Sequence, residues 1–297
     1  IDRMFKNKIT EPRVHPTPER IAHACGGYNN CIYNNCEDAL LHNIGLGFEW
    51  FEIDFIYKDN ELVTDAGRSA EITGDDRSCS YYSAKDEGKA SSLVLKNTSA
   101  MTLVDLARVM CLYPKIRIVV DNKEVSRNME SMSTLFDALP DAAERVLPQI
   151  FQPEEFQVCA ALGFKHVIWT LYNYKGSDEE VISELKKKMN LEEGGSIGYV
   201  TMPQARAMTQ LSKDVNKLNI PILAHTINDQ GEIDDLRRKG VSEVYTDWCI
   251  PWIMNQRNGK KIPTKDPFLH ISRIGWRESR LDRRKTNKIQ KVIRLIK

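Results

Sequence analysis

Residues 50–57, WFEIDFIY, decide the fold of this chain. Two acids, Glu52 and Asp54, stand two positions apart among large apolar side chains. Successive residues of a β-strand point to opposite faces, so the two acids share one face. Phe51, Ile53 and Phe55 share the other, the face that helices would cover. The pattern recurs at 116–123, IRIVVDNK, where Asp121 and Lys123 share a face and Val120 and Asn122 take the opposite one. Upstream, RIAHA at 20–24 puts His23 at the end of a first short apolar run.

Outward from these three runs the chain alternates. Further strands are expected at 146–151, 166–172, 196–202, 220–227 and 243–248. Helices are expected at 35–45, 102–112, 126–139, 153–162, 177–189, 203–217 and 230–239. Ser177 and Glu180 have the spacing of a capping box, and Gly240 ends the helix that starts near Gln230. Strands alternating with helices from residue 20 to residue 252 predict an α/β chain folded as a closed (β/α)8 TIM-like barrel. An open doubly wound sheet would want a GxGxxG loop, and none is present. A segment at 1–19 precedes the barrel. A polar insertion at 66–101 follows its second strand, and a basic segment at 253–297 ends the chain. Long polar insertions in compact domains are commonly functional, and this one is expected to cap the barrel mouth.

Strand ends converge on one mouth in such a barrel. Three inward carboxylates there, Glu52, Asp54 and Asp121, cannot all ionise without a counter-charge. One divalent cation held by oxygen ligands, Mg²⁺ or Ca²⁺, resolves this. Lys123 adds a fixed positive charge beside it. A cation and a lysine next to His23 suit a phosphate ester. Each motif alone reads better as an ordinary strand-end salt bridge, but their coincidence on three successive strands favours the site.

The 297 residues, 41% of them hydrophobic, are enough for one large core. The net charge of +1 is unevenly spread. Residues 273–297 hold ten Lys and Arg against two Asp and Glu, which leaves about −7 for the rest of the chain. In that tail Ile289, Val292, Ile293 and Ile296 follow helical spacing, so a basic amphipathic helix could lie on an anionic membrane surface. No nucleic-acid partner is expected, because only Trp276 interleaves the charges. No apolar run is long enough to span a bilayer, roughly 18 residues or more. The seven cysteines form no CxxC pair, and Cys25, Cys31 and Cys36 fit no zinc spacing. They read as mostly free thiols in a reducing compartment, and a cytoplasmic location is expected.

Several stretches together resemble the glycerophosphodiester phosphodiesterase family, part of the superfamily of phosphatidylinositol-specific phospholipase C. They are IAHACGG at 21–27, YNNCEDAL at 33–40, FEID at 51–54, DNELVTDAG at 59–67 and YPKIRIVVDNK at 113–123. AHTINDQGEIDDLRRKGVSEVYTDW at 224–248 is similar to the family's closing pattern. The resemblance covers roughly residues 19–250. It implies a TIM-like barrel, one divalent metal and hydrolysis of a phosphodiester, either a small molecule or a lipid headgroup. Carried over by position, His23 is the first catalytic histidine, and Glu52, Asp54 and Asp121 are the metal ligands. Lys123 contacts the phosphate, and Gln149, Tyr172 and His225 line the pocket for substrate. The chain departs from the family at one position. Ala66 stands where a second histidine is expected, with Gly67 after it and Asp65 before it. The family uses two histidines, one as base and one as acid. The alternative is therefore a barrel that binds a phosphorylated lipid or glycan without turnover.

Overall fold

The computed structural model describes residues 16–28, 31–66, 99–189 and 197–251. The expected cap at 66–101 and basic tail at 253–297 therefore lie almost wholly outside the described residues. Nine strands are described: β1 (Ile21–Ala22), β2 (Trp50–Lys58), β3 (Glu61–Thr64), β4 (Arg117–Asn122), β5 (Val146–Ile150), β6 (Val167–Thr170), β7 (Ile197–Pro203), β8 (Ile222–His225) and β9 (Glu243–Thr246). Eight of them are parallel and close on themselves in the order β1-β2-β4-β5-β6-β7-β8-β9, with β1 pairing both β2 and β9. The closed (β/α)8 barrel is what the alternation predicts.

β3 is an addition that the alternation does not predict. It runs antiparallel to β2, from Lys58↔Glu61 to Phe55↔Thr64. The two-residue turn between them, Asp59-Asn60, takes φ of 52° and 64°. Both values lie in the left-handed region that a type I′ hairpin needs, and Asp and Asn tolerate it. At the far end of the hairpin, the Thr64 amide donates to the Met101 carbonyl at 3.0 Å and Val63 bridges Thr102. The two ends of the 66–101 stretch are thus clasped together beside β2.

The helices follow the apolar periodicity. They are α1 (Glu37–Gly45), α2 (Leu103–Leu112), α3 (Asn128–Ala138), α4 (Ala142–Arg145), α5 (Phe156–Leu162), α6 (Asp178–Met189), α7 (Gln204–Ala207), α8 (Gln210–Asn216) and α9 (Gln230–Arg238). Thr102 caps α2 in a capping box: its hydroxyl accepts from the Asp105 amide at 3.2 Å, and Asp105 accepts from the Thr102 amide at 3.1 Å. Ser177 and Glu180 do the same before α6. Gly240, at φ +95°, closes the turn after α9. The helix expected at 203–217 is broken into α7 and α8. Thr209 is extended there, and its hydroxyl caps α8 by accepting from the Leu211 amide at 3.3 Å. Among the described residues no helix is long and apolar enough to cross a membrane.

The barrel interior is layered. Each parallel strand gives one residue to an inner apolar ring, from Ile21 of β1 and Trp50 of β2 round to Leu223 of β8 and Tyr245 of β9. Phe51, Ile53, Phe55, Ile118 and Val120 point outward into the larger core under the helices, as their parity demands. Burying each such side chain contributes roughly 1.5–3 kcal/mol. Asn122 also points outward, with its amide on the Ser131 hydroxyl at 2.8 Å. At the barrel's lower end the Arg20 guanidinium is buried against Glu243, which Arg237 also pairs. The Tyr199 hydroxyl there donates to the Pro16 carbonyl.

Candidate active site at the barrel mouth

Two residues beyond each member of the apolar ring, toward the strand C-termini, the inward positions turn polar. Glu52 follows Trp50, Asp121 follows Val119, Gln149 follows Leu147, His225 follows Leu223 and Asp247 follows Tyr245. Asp54 continues the same face of β2, and its Cα pairs with that of Asp121 across the β2–β4 ladder. This register brings the three acids together. One ligand oxygen from each of Glu52, Asp54 and Asp121 lies within 4.8 Å of the others. All three residues are buried.

Lys123 reaches back over them. Its ammonium lies 2.5 Å from Asp54 Oδ1, an ion pair without hydrogen-bond alignment, and donates to Asp121 Oδ2 at 2.7 Å. Asp121 Oδ1 is buried with no hydrogen-bond partner. Burial, then Asp54, pushes the Glu52 carboxyl well above its ordinary range. Asp121 is raised by burial in spite of Lys123. Burial works in the same direction on Asp54, but Lys123 and His23 outweigh it and hold that carboxyl low. Burial would lower Lys123, yet Asp54 and Asp121 raise it well above its ordinary value. Two positive groups, Lys123 and His23, thus face four carboxylates, Glu52, Asp54, Asp121 and Asp247. A cluster short of positive charge, with an orphaned oxygen facing into it, fits a hard divalent cation.

His23 departs from the expected strand geometry. β1 ends at Ala22, and His23 opens a short 3₁₀ turn in which Ala24 and Cys25 take positive φ. The turn is held because the Ala24 amide donates to Glu52 Oε2 at 2.7 Å. Gly27 is needed just beyond it, since a Cβ there would overlap the Trp248 ring. His23 Nδ1 lies 2.9 Å from Asp247 Oδ1, an acceptor, so Nδ1 carries the proton and donates. Nε2 then faces the acids, 4.0 Å from Glu52. Burial alone would lower this imidazole, but Asp247, Glu52 and Asp54 lift it to about 9. The Tyr33 ring leans edge-on against it, with centroids 4.8 Å apart.

Gln149, Tyr172 and His225 all reach this mouth or its rim. Gln149 is buried with inward parity on β5. Tyr172, just past β6, is 42% exposed, and its ring contacts His225 at 5.9 Å between centroids. His225 also stands against Tyr245, at 6.0 Å. Burial, then His23 and Lys123, lowers His225 to about 4. Ala66, where the resemblance expects a histidine, is partly buried against the outer core. The Asp65 amide beside it donates to the Asp54 carbonyl at 2.9 Å.

The sequence reading passed over three orienting residues. Asp247 has the same parity as Tyr245 and stands in the TDW it quoted, so alternation could have found it. Asn228 holds Asp247 by donating to Oδ2 at 2.7 Å and accepting from the Asp247 amide at 2.8 Å. Asn35 grips Asp54 likewise, donating to Oδ2 at 2.9 Å and accepting from its amide at 3.0 Å.

No family profile matches the sequence, and no curated protein matches it. Solved structures do. A phosphodiesterase from Oleispira antarctica in complex with the product sn-glycerol-3-phosphate is 18% identical, with a TM-score of 0.59 over 82% of this chain and 97% of that one. A glycerophosphodiester phosphodiesterase from Thermotoga maritima is 16% identical, with a TM-score of 0.54 over 82% and 100%. One from Parabacteroides distasonis is 17% identical, with a TM-score of 0.54 over the same shares. The likeness is one of fold, and the barrel described above is the barrel of these enzymes.

Proposed function

We propose that this chain, which has the fold of the glycerophosphodiester phosphodiesterases, is a cation-dependent phosphodiester hydrolase. The observation that carries the reading is the convergence of Glu52, Asp54, Asp121, Lys123 and the Asp247-oriented His23 on one mouth. Glu52, Asp54 and Asp121 hold one divalent cation, Mg²⁺ or Ca²⁺. When bound, the cation supplies positive charge to the phosphoryl oxygens. Lys123 contributes a second positive charge there. Its four-carbon stem lets it turn from Asp54 and Asp121 to an incoming phosphate. With a bound cation answering the carboxylates that raise it, His23 would be free to take the proton of the attacking water or substrate hydroxyl at Nε2, and Asp247 would stabilise the imidazolium that forms. The products are an alcohol and a phosphomonoester, or a cyclic phosphate where a substrate hydroxyl attacks. The substrate is a glycerophosphodiester-like small molecule or lipid headgroup.

The methyl group of Ala66 favours a second reading: binding of a phosphorylated lipid or glycan without turnover. One experiment separates the two. Turnover of a panel of alkyl and aryl phosphodiesters is measured with Mg²⁺, with Ca²⁺ and with a chelator. Cation-dependent release of alcohol from any member supports the hydrolase. Calorimetric binding of the diesters with no release under any cation supports the binder.

A further inference from the structure

Eight parallel strands put the loops that leave them, and the first turns of the helices that follow, at one end of the barrel, around the mouth. Eight large apolar residues stand exposed among the described residues, and six of them lie at that end. Tyr33 lies between β1 and α1, Val104 opens α2 beside the hairpin clasp, and Val125 follows β4. Val158 is in the first turn of α5, Tyr172 follows β6, and Met208 follows α7, the short helix after β7. Each comes from a different connection, so together they ring the polar site and do not fill one groove. Single apolar side chains on a surface need no explanation, but a set gathered around a site marks an interaction face. We infer that this ring is a docking surface for zwitterionic phospholipid, and that the phosphodiester reaches the site from that surface. The docking needs no turnover; that the docked lipid is the substrate rests on the hydrolase reading above.

Shape chooses a lipid over a protein. A protein interface buries an apolar centre inside a polar rim. Here the order is reversed, with Lys123 and three buried acids at the centre and apolar side chains around them. A lipid surface suits that order, because the ring can enter the acyl boundary around a headgroup that enters the site.

Charge chooses a zwitterionic lipid over an anionic one. First turns at the mouth are acidic, with Glu37 and Asp38 on α1, Asp105 on α2, and Asp178, Glu179 and Glu180 on α6. Last turns at the far end are basic, with Lys186, Lys187 and Lys188 on α6 and Arg237 and Arg238 on α9. An anionic surface is therefore drawn to the far end and repelled from the mouth. A zwitterionic phospholipid has no net charge to be repelled, and its headgroup is joined through the phosphodiester that the centre of the ring suits.

The test floats the full chain, with a chelator present, on vesicles of phosphatidylcholine and on vesicles enriched in phosphatidylglycerol. Each is run at about 0.05 M and about 0.5 M salt, since salt screens charge but not apolar insertion. The chain should float with phosphatidylcholine at both salt concentrations. A triple variant, Val125→Ser with Val158→Ser and Met208→Ser, should lose about tenfold or more in partition. Leu112→Ser with Tyr113→Ser, at the far end of α2, should lose nothing. Thermal melts check that each variant folds. Flotation only with the anionic vesicles and only at low salt overturns the proposal, and so does a triple variant that partitions unchanged or a chain that floats with neither. A second arm adds Mg²⁺ or Ca²⁺ and compares lysophosphatidylcholine micelles with glycerophosphocholine. The triple variant should lose about tenfold in kcat/KM on the micelles and keep its value on the soluble diester. Unchanged kcat/KM on the micelles overturns the claim that the docked lipid is the substrate. A chain that floats as expected but hydrolyses neither diester keeps the docking and overturns the hydrolase reading.

Discussion

Two rings of inward side chains, one strand repeat apart on the same eight strands, have opposite character. The lower ring is apolar: Trp50, Val119, Leu147, Ile168 and their counterparts fill the barrel. The upper ring, about 7 Å further along at the usual rise of a strand, is polar at every position: Glu52, Asp121, Gln149, Thr170 and theirs. Backbone direction and parity are shared, so the difference lies in the side chains alone. In the lower ring, burial stabilises. In the upper ring, burial opposes every charge, and the charges stay only because Lys123, His23 and the orienting amides hold them. The fold and the chemistry of this protein are separated by two residues per strand.

The comparison breaks most severely if the rings are mixed. Leu147→Asp puts an unpaired carboxylate into the lower ring, and a loss of about 4 kcal/mol or more is expected in denaturant unfolding. Retained stability would mean that the lower ring is wetter than its packing implies. Next comes Glu52→Gln, an isosteric change in the upper ring. Cation binding by calorimetry and turnover should fall together, turnover by about 10³-fold or more. The cation-free Tm should hold or rise, since the neutral amide relieves a carboxyl that burial already disfavours.

Asp247→Asn sharpens the comparison at one bond. The imidazole loses the acceptor that fixes its Nδ1 proton, and kcat should drop about 10²-fold or more while cation affinity is kept. A proportional loss of cation affinity would show that Asp247 acts on the acids rather than on His23. The smallest effect concerns His225. Its folded pKa, about 4, lies below its unfolded value of about 6.5. Above the unfolded value the stability it contributes is fully present, and it is lost as the pH falls through the folded value. His225→Asn should flatten that acid limb by on the order of 2 kcal/mol in urea melts between neutral pH and pH about 4. An unchanged limb would assign acid loss to other groups.

Parity made the upper ring legible on β2 and β4, because each of those strands is long enough to read its alternation unaided. It failed for His23, since β1 is two residues long and the histidine stands in a turn that only the Glu52–Ala24 contact explains. Asp247 was within reach of the alternation that places Tyr245 inward, but its contact with His23, and so the value of Asn228, depends on β1 meeting β9, a pairing that no local pattern announces. Asp59-Asn60 was a readable hairpin signal, since Asp and Asn accept the left-handed conformation in tight turns. The break at Thr209 was also readable in principle, as a capping residue inside an apolar periodicity. The barrel itself was legible because it needs only the alternation, repeated.

The two-residue seam of β1 sets a timetable. Ile21 pairs with Tyr245, and His23 with Asp247, across more than 220 positions of chain. During synthesis the first strand must wait, unpaired on one edge, until the last has emerged. Contacts this distant in sequence are the slow ones to form. His23 and Asp247 meet only at that closure. A nascent chain can hold its three acids near one another well before it owns the His23–Asp247 contact, so the mouth is completed in one step at the final ring closure and not by degrees.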